Sequence, residues 1–102
     1  MAGAAPFPLT AAKARVLLRE AARDSARVAF TDHAVSQMRR RRITRAQVLR
    51  CLGNGRIAEG PAVDVRGRWS CRVEGMAEGR GIGVAAGFEA PGIVVITAFW
   101  MD

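Results

Sequence analysis

The sequence predicts an α+β domain in which helices pack on one face of a mainly antiparallel sheet of four to five strands. Apolar residues recur at helical spacing up to Gly55, and beyond it they alternate with a period of two. Short turns join the segments of the second half, and short connections favour antiparallel neighbours. The 102 residues suffice for one domain, which we place at residues 9–102, behind a flexible N-terminal arm at residues 1–8.

An additional N-terminal helix is predicted over residues 9–25. Thr10 can cap its first turn, and Val16 and Leu17 belong to the set of residues that recurs on one helical face. The next apolar residues, Arg27–Phe30, form too short a run for a helix and predict an additional edge strand.

The second helix is predicted over residues 33–41. Asp32 stands at the position of its N-terminal cap, and Ala34, Val35 and Met38 are spaced to face the core.

The third helix begins at a capping-box sequence. The Thr44 hydroxyl can accept a hydrogen bond from the Gln47 amide, while the Gln47 side chain reaches back to the cap. We expect this helix to end at Leu52, because Gly53-Asn54-Gly55 follows and such residues tolerate the positive φ of a helix C-terminus.

Four strands follow the third helix, separated by turns rich in glycine. The turns are predicted at residues 74–79 and 89–92, where glycine or proline interrupts the alternation. The predicted strands are Arg56–Val65, Arg66–Glu74, Arg80–Phe88 and Ile93–Trp100.

Positive charge is the dominant feature of the composition. The net charge is +7, and fifteen of the sixteen basic residues are arginines. Arginine binds phosphate through two N–H groups and stacks on bases, so the composition favours RNA or an acidic protein as partner. No apolar run reaches the ~20 residues of a membrane span, and no basic segment precedes an apolar stretch at the N-terminus. We therefore expect a cytoplasmic protein.

The two cysteines, Cys51 and Cys71, are too few for a disulfide framework and lack the spacing of a zinc site. We predict that both are reduced and buried, and we expect no metal or other cofactor.

The predicted strand Arg66–Glu74 carries arginines on alternate positions. Arg66, Arg68 and Arg72 fall on the face opposite Cys71 and Val73. If helices cover the apolar face, these arginines form an open basic surface that can hold a single-stranded phosphate backbone. The alternative is a solvated outer face without a ligand.

The next strand has a stripe of small residues on one face: Gly81, Gly83, Ala85 and Gly87. Such a stripe permits close approach, either by a ligand or by a packed helix.

Three further residues are candidates for contact with RNA. Arg41 belongs to the run Arg39–Arg42, which also complements the dipole at a helix C-terminus. Arg80 begins a strand. Trp100 can stack on a base or can end the apolar core.

His33 is the one histidine, and its ordinary pKa suits proton transfer near neutral pH. Asp32 beside it could orient the imidazole, although a lone histidine is also a common structural residue. The chain lacks a paired-carboxylate signature, a phosphate loop and a nucleophile elbow.

Asp32-His33-Ala34 begins a series of spaced residues that ends in the apolar segment Ile93–Phe99. The residues between them are Met38, Arg41, Ile43-Thr44, Val48, Leu52, Gly55 and Ile57. In this pattern residues 28–99 resemble the domain-of-unknown-function family DUF4258. The chain departs from the family pattern at Gln37, where arginine is usual, and at Arg42, where glycine is usual. The second departure predicts a turn between the helices without positive φ.

The resemblance implies a RelE-like fold in the RelE/ParE toxin superfamily, and the additional N-terminal helix resembles the arrangement of MqsR. It further implies a toxin of a toxin–antitoxin pair that cleaves mRNA without a metal, on the ribosome or free. The partner would be an antitoxin of the zinc-finger, DNA-binding kind. In this hypothesis Arg68 and Arg72 hold the scissile phosphate and His33 transfers protons.

Two alternatives remain open on the sequence. One is a non-catalytic module that binds a protein, as a ParE-like inhibitor or an inert relative does. The other is a nucleic-acid-binding protein without catalysis.

Overall fold

The computed structural model describes residues 8–90 and 92–101, so the predicted arm lies outside the described residues except for Pro8. Helix α1 (Ala11–Ala22) and a 3-10 turn (Ser25–Arg27) precede strand β1 (Val28–Phe30). Helices α2 (Asp32–Arg41) and α3 (Arg45–Asn54) come next. Strands β2 (Arg56–Val63), β3 (Trp69–Ala77), β4 (Arg80–Glu89) and β5 (Gly92–Trp100) follow. No described helix is long and apolar enough to cross a membrane.

The five strands form one mixed sheet in the order β1-β5-β4-β3-β2. Strands β2 to β5 make an antiparallel meander, whereas β1 pairs with β5 in parallel, with Val28 opposite Ile93. The additional edge strand is therefore confirmed, and the sheet is mixed. The physical reason is the connection: all of residues 31–91 separate β1 from β5, and only such a long crossover permits a parallel pair.

The helices bury the apolar side of the sheet. Val73 of β3, Val84 of β4 and Val95 of β5 are almost fully buried beneath them. In α1 the inward residues are Ala14, Leu18 and Ala21. Val16, which was grouped with Leu17 on one helical face, has half of its surface exposed. We refer to the opposite side of the sheet, which none of the three described helices covers, as the open face.

Side chains cap each helix at its start. Thr10 caps α1 as predicted, with its hydroxyl accepting from the Lys13 N–H at 3.1 Å. The Thr44–Gln47 capping box of α3 is confirmed in both directions. Asp32 does not cap α2. Thr31 does, because its hydroxyl accepts the Ala34 N–H at 3.0 Å and leaves Asp32 inside the first turn.

The helix ends differ from the prediction at two places. Helix α3 continues through Gly53 to Asn54, and Gly55 has φ −79°, so this connection uses no positive φ. Helix α2 instead ends at Arg41 and is capped by Arg42, which has φ 58° and ψ 45°. The Ile43 N–H donates to the Met38 carbonyl, a pattern that needs a left-handed residue between them. Arg42 thus adopts the conformation that glycine adopts more readily.

Two turns of the meander determine where β3 begins and ends. Glu78 and Gly79, both at positive φ, make a two-residue hairpin, so β3 extends to Ala77 and replaces most of the predicted turn. The other turn spans 64–68 and joins β2 to β3. Arg66 and Arg68 therefore lie before β3, which begins at Trp69.

Candidate nucleic-acid interface

The open face is crossed by a row of paired residues that runs from β3 to α2. Arg72 of β3 lies opposite Ala85 of β4, and Ala85 lies opposite Thr97 of β5. The Thr97 hydroxyl donates to the Gln37 side-chain oxygen of α2 at 3.2 Å. The row connects the predicted RNA-binding strand to the predicted catalytic helix, with two strands between them.

Arg68 lies flat on the open face over Gly87. A Cβ at Gly87 would stand 2.7 Å from the Arg68 Nε, so only glycine leaves room for this side chain. Its guanidinium donates to Asp64 (3.3 Å) and Glu89 (3.2 Å) and is only 17% exposed. Arg68 is therefore held by two carboxylates.

Arg72 is bound in the same way. Its Nη1 donates to Glu59 at 2.8 Å, and its Nε donates to Glu74 at 3.2 Å. Arg56 on the neighbouring strand shares Glu74. The arginines predicted to form an open basic surface are thus set among carboxylates, which offset their charge.

Arg66 lies in the turn between β2 and β3, which Asp64 organises. One carboxylate oxygen of Asp64 accepts the backbone N–H groups of Arg66 (2.9 Å) and Arg68 (3.0 Å). The Arg68 N–H bond is the largest of the contacts that lower the pKa of Asp64. Arg66 itself is exposed and does not share the strand face of Arg72.

The stripe of small residues on β4 is filled by the chain itself. A Cβ at Gly83 would stand 2.5 Å from the Phe99 ring, and one at Gly81 would stand 3.3 Å from Met101. With Arg68 over Gly87, side chains of the same chain lie over three of the four residues of the stripe. It is the surface on which neighbouring side chains lie.

His33 is exposed in the first turn of α2. Gln37, one turn further along this helix, contacts Thr97 of β5. Arg72 lies two strands away from β5, a span of about 10 Å at ordinary strand spacing. Among the described residues, no hydrogen bond or ion pair joins His33 to Arg68 or Arg72.

Arg41, Trp100 and Arg80 form one cluster at the end of α2. Arg41 Nη1 donates to the Ala98 carbonyl at 2.8 Å, and Trp100 Nε1 donates to the Arg41 carbonyl at 2.7 Å. The Arg80 guanidinium lies 4.0 Å over the Trp100 ring. These contacts attach α2 to the edge of β5 beyond the short β1, and they occupy groups that were predicted to contact RNA.

The two cysteines are buried and reduced, as predicted. Burial raises the pKa of Cys51 to about 12 and that of Cys71 to about 11. The Cys51 thiol lies 3.6 Å from the Val73 carbonyl oxygen. Both are inert core residues and not nucleophiles.

The excess positive charge is located on the helical part of the chain. Residues 8–55 hold ten arginines and one lysine against three carboxylates, a net charge of +8. Residues 56–102 hold five arginines against six carboxylates, a net charge of −1. A count of charge by segment would have revealed this division. The alternation within one predicted strand does not show it, because the carboxylates that pair with Arg68 and Arg72 include residues of other segments.

A family model described as a domain of unknown function, DUF4258, matches residues 30–100. Neither a search of curated proteins nor one of solved structures finds a match to the chain. The match covers more than half of the sequence and includes the last residue of β1, both following helices and the whole meander. The chain therefore belongs to the DUF4258 family.

Proposed function

We propose that this protein binds RNA and that the outer surface of its helices, not the open face of the sheet, contacts the phosphate backbone. The observation that carries the proposal is the division of charge, +8 on residues 8–55 against −1 on residues 56–102. A surface with unbalanced arginines attracts polyanions over long range, whereas paired arginines contribute little field.

Arginines at the end of α2 are the first candidates for phosphate contact. Arg39, Arg40 and Arg42 are exposed, and none of them forms an ion pair within residues 8–90 and 92–101. Arg41 in the same run instead donates to the Ala98 carbonyl of β5. The neutralising partners of these arginines would be phosphates of RNA or carboxylates of a protein.

The finer proposal is a RelE-like toxin of a toxin–antitoxin pair. Helices on one face of a five-stranded sheet, with an antiparallel meander after them, support it. An antitoxin, of the zinc-finger, DNA-binding kind that the resemblance implies, would then cover basic residues of the helices in the cytoplasm. Inducible expression tests this proposal: growth should stop, and co-expression of a neighbouring antitoxin gene should restore it. Normal growth at high expression would contradict it.

Metal-independent RNA cleavage is a second candidate. The observation that favours it is the exposure of His33 at the margin of the sheet, where an imidazole is accessible to a bound strand. Transcript mapping after induction should show cleavage that His33→Ala reduces. If Arg72→Ala is instead the inactive variant and His33→Ala is not, cleavage takes place on the open face among Arg68, Arg72 and their carboxylates.

The experiment for binding itself is a salt titration. Labelled single-stranded RNA should bind with an affinity whose logarithm falls linearly with that of the salt concentration, with a slope near −0.7 for each phosphate contacted. Four contacts would give a slope of about −3. Affinity that does not change between low and moderate salt would overturn the proposal.

A further inference from the structure

A cleft separates the C-terminal ends of α1 and α3. It has a volume of ≈ 590 Å³, and its charged lining consists of Arg19 and Arg23 from α1 and Arg50 from α3. Asn54 adds a polar side chain at the end of α3, and Leu49 adds an apolar wall. No carboxylate among residues 8–90 and 92–101 lines the cleft.

The close approach of the two helices brings these arginines together. Gly53 of α3 lies against Ala22 of α1, and a Cβ at Gly53 would stand 3.1 Å from the Ala22 Cβ. Glycine at this crossing lets the two helices approach closely, and both Gly53 and Ala22 line the cleft. The arginines of the two helices therefore line one cleft.

The charge in the cleft is uncompensated. None of Arg19, Arg23 and Arg50 forms an ion pair with another residue in the part of the chain that the structure describes. Arg19 and Arg23 stand four residues apart on a helix, a spacing at which like charges destabilise. Arg68 and Arg72 of the sheet, by contrast, are each held by two carboxylates.

Helix dipoles account for only part of this arrangement. Cations stabilise the last turn of a helix, and Arg19 and Arg23 are at or next to the end of α1. Arg50 precedes the last turn of α3, which holds no basic residue. An anionic ligand would explain all three arginines together.

We propose that this cleft binds a terminal phosphate group, either of a free nucleotide or of the end of an RNA strand. A phosphomonoester carries a charge of about −1.5 to −2 at pH 7 and three acceptor oxygens, which suits several guanidinium groups better than a singly charged diester does. The volume falls in the range of small-molecule sites, so the nucleoside can lie against Leu49.

Two pairs of probes test the proposal at constant ionic strength. One pair is adenosine 5′-monophosphate against adenosine, measured by calorimetry. The other is a single-stranded RNA with a 5′-phosphate against the same RNA with a 5′-hydroxyl. In each pair the phosphorylated probe should bind about tenfold tighter or more, as a charge-assisted hydrogen bond provides.

Arg50→Gln should lower the affinity ratio of each pair severalfold, because it removes one of the three guanidinium groups of the cleft and retains helix propensity. Lys13→Gln is the matched control. It removes the same charge from an exposed position about 120° around α1 from Arg19, and it should leave the ratios unchanged. Thermal unfolding shows first that both variants are folded. A ratio near one in the wild type, or an unchanged ratio in Arg50→Gln, overturns the proposal.

The RNA-end arm rests on the proposed function, whereas the nucleotide arm does not. If the protein binds the monophosphate tightly and does not bind RNA, the result supports the phosphate site in the cleft and contradicts the proposed RNA binding. The protein could instead bind RNA in a salt-dependent way without a preference for either 5′ end, and bind adenosine and its monophosphate equally. That result contradicts the phosphate site in the cleft and leaves the proposed RNA binding intact.

Discussion

Arg42 adopts a conformation that costs an ordinary residue about 1–2 kcal/mol, because its Cβ crowds the following carbonyl oxygen. The Schellman pattern at the end of α2 requires the left-handed backbone whichever residue stands there. The Ile43 N–H bonds the Met38 carbonyl, and both side chains are buried. The resemblance to the family pattern suggested that a non-glycine residue would avoid this backbone. The stabilisation from these hydrogen bonds and from the burial of Ile43 exceeds the cost of the left-handed backbone at Arg42.

Arg42→Gly should therefore stabilise the fold by about 0.5–1 kcal/mol, the relief of strain less the greater chain entropy of glycine in the unfolded state. The measurement is chemical denaturation. Arg39→Gly, at an exposed and helical position of the same element, is the control and should destabilise by about 0.5–1 kcal/mol. Equal losses in both variants would show that the backbone at Arg42 is not strained.

Because two thiols are buried, we predict that the free energy of unfolding falls at alkaline pH. The folded pKa values, about 12 for Cys51 and about 11 for Cys71, lie above the ordinary value of 9.0. Unfolded chains therefore lose these protons above pH 9, while folded chains keep them. The stabilisation is complete below pH 9 and falls as the pH rises towards 11 or 12.

Unfolding by urea between pH 8 and pH 11 measures this effect. Few other groups interfere, because the chain has no tyrosine and a single lysine. A Cys51→Ala/Cys71→Ala variant should be less stable at pH 8, owing to the volume lost from the core, but should lose less stability with rising pH. Parallel pH curves for the two proteins would exclude the thiols as the cause.

At the scale of elements, features that depend on neighbouring residues were predicted well, and features that depend on contacts distant in sequence were not. The Thr10 cap and the Thr44–Gln47 box follow from residues within one turn of each other, and the structure has both. The end of α3 was misjudged, because Gly53 serves the contact with Ala22 and not a positive φ. The carboxylates around Arg68 and Arg72 come from four chain segments, and a strand pattern does not contain that information.

The packing of Phe99 on Gly83 is a contact of this long-range kind. Gly83→Ala should cost about 1–3 kcal/mol, because the new methyl group would overlap the ring and force it to move. In a Phe99→Ala background the same substitution should cost much less. The measurement is a double-mutant cycle by denaturation. Additive losses would mean that the ring does not occupy this position over Gly83.

At the scale of the whole molecule, the composition gives the net charge but not the part of the chain that carries it. The value of +7 conceals a helical part at +8 and a sheet part at −1. Within the sheet part, contacts of 2.8–3.3 Å join arginines to carboxylates. Sequence alone therefore predicted the class of partner, a polyanion or acidic protein, and assigned it to the surface where the arginines are already paired.

The central claim is that RNA binds to the helical surface, and the most direct measurement compares the salt dependence of binding for two double variants of equal charge. Arg39→Gln/Arg40→Gln removes exposed arginines of α2, and Arg68→Gln/Arg72→Gln removes paired arginines of the sheet. Circular dichroism and thermal unfolding establish first that both variants are folded. We predict that the α2 variant binds more weakly, with a log–log slope smaller in magnitude by about 1.4 for two lost contacts, and that the sheet variant keeps the wild-type slope. A reduced slope in the sheet variant alone would contradict the account and would place the RNA on the open face.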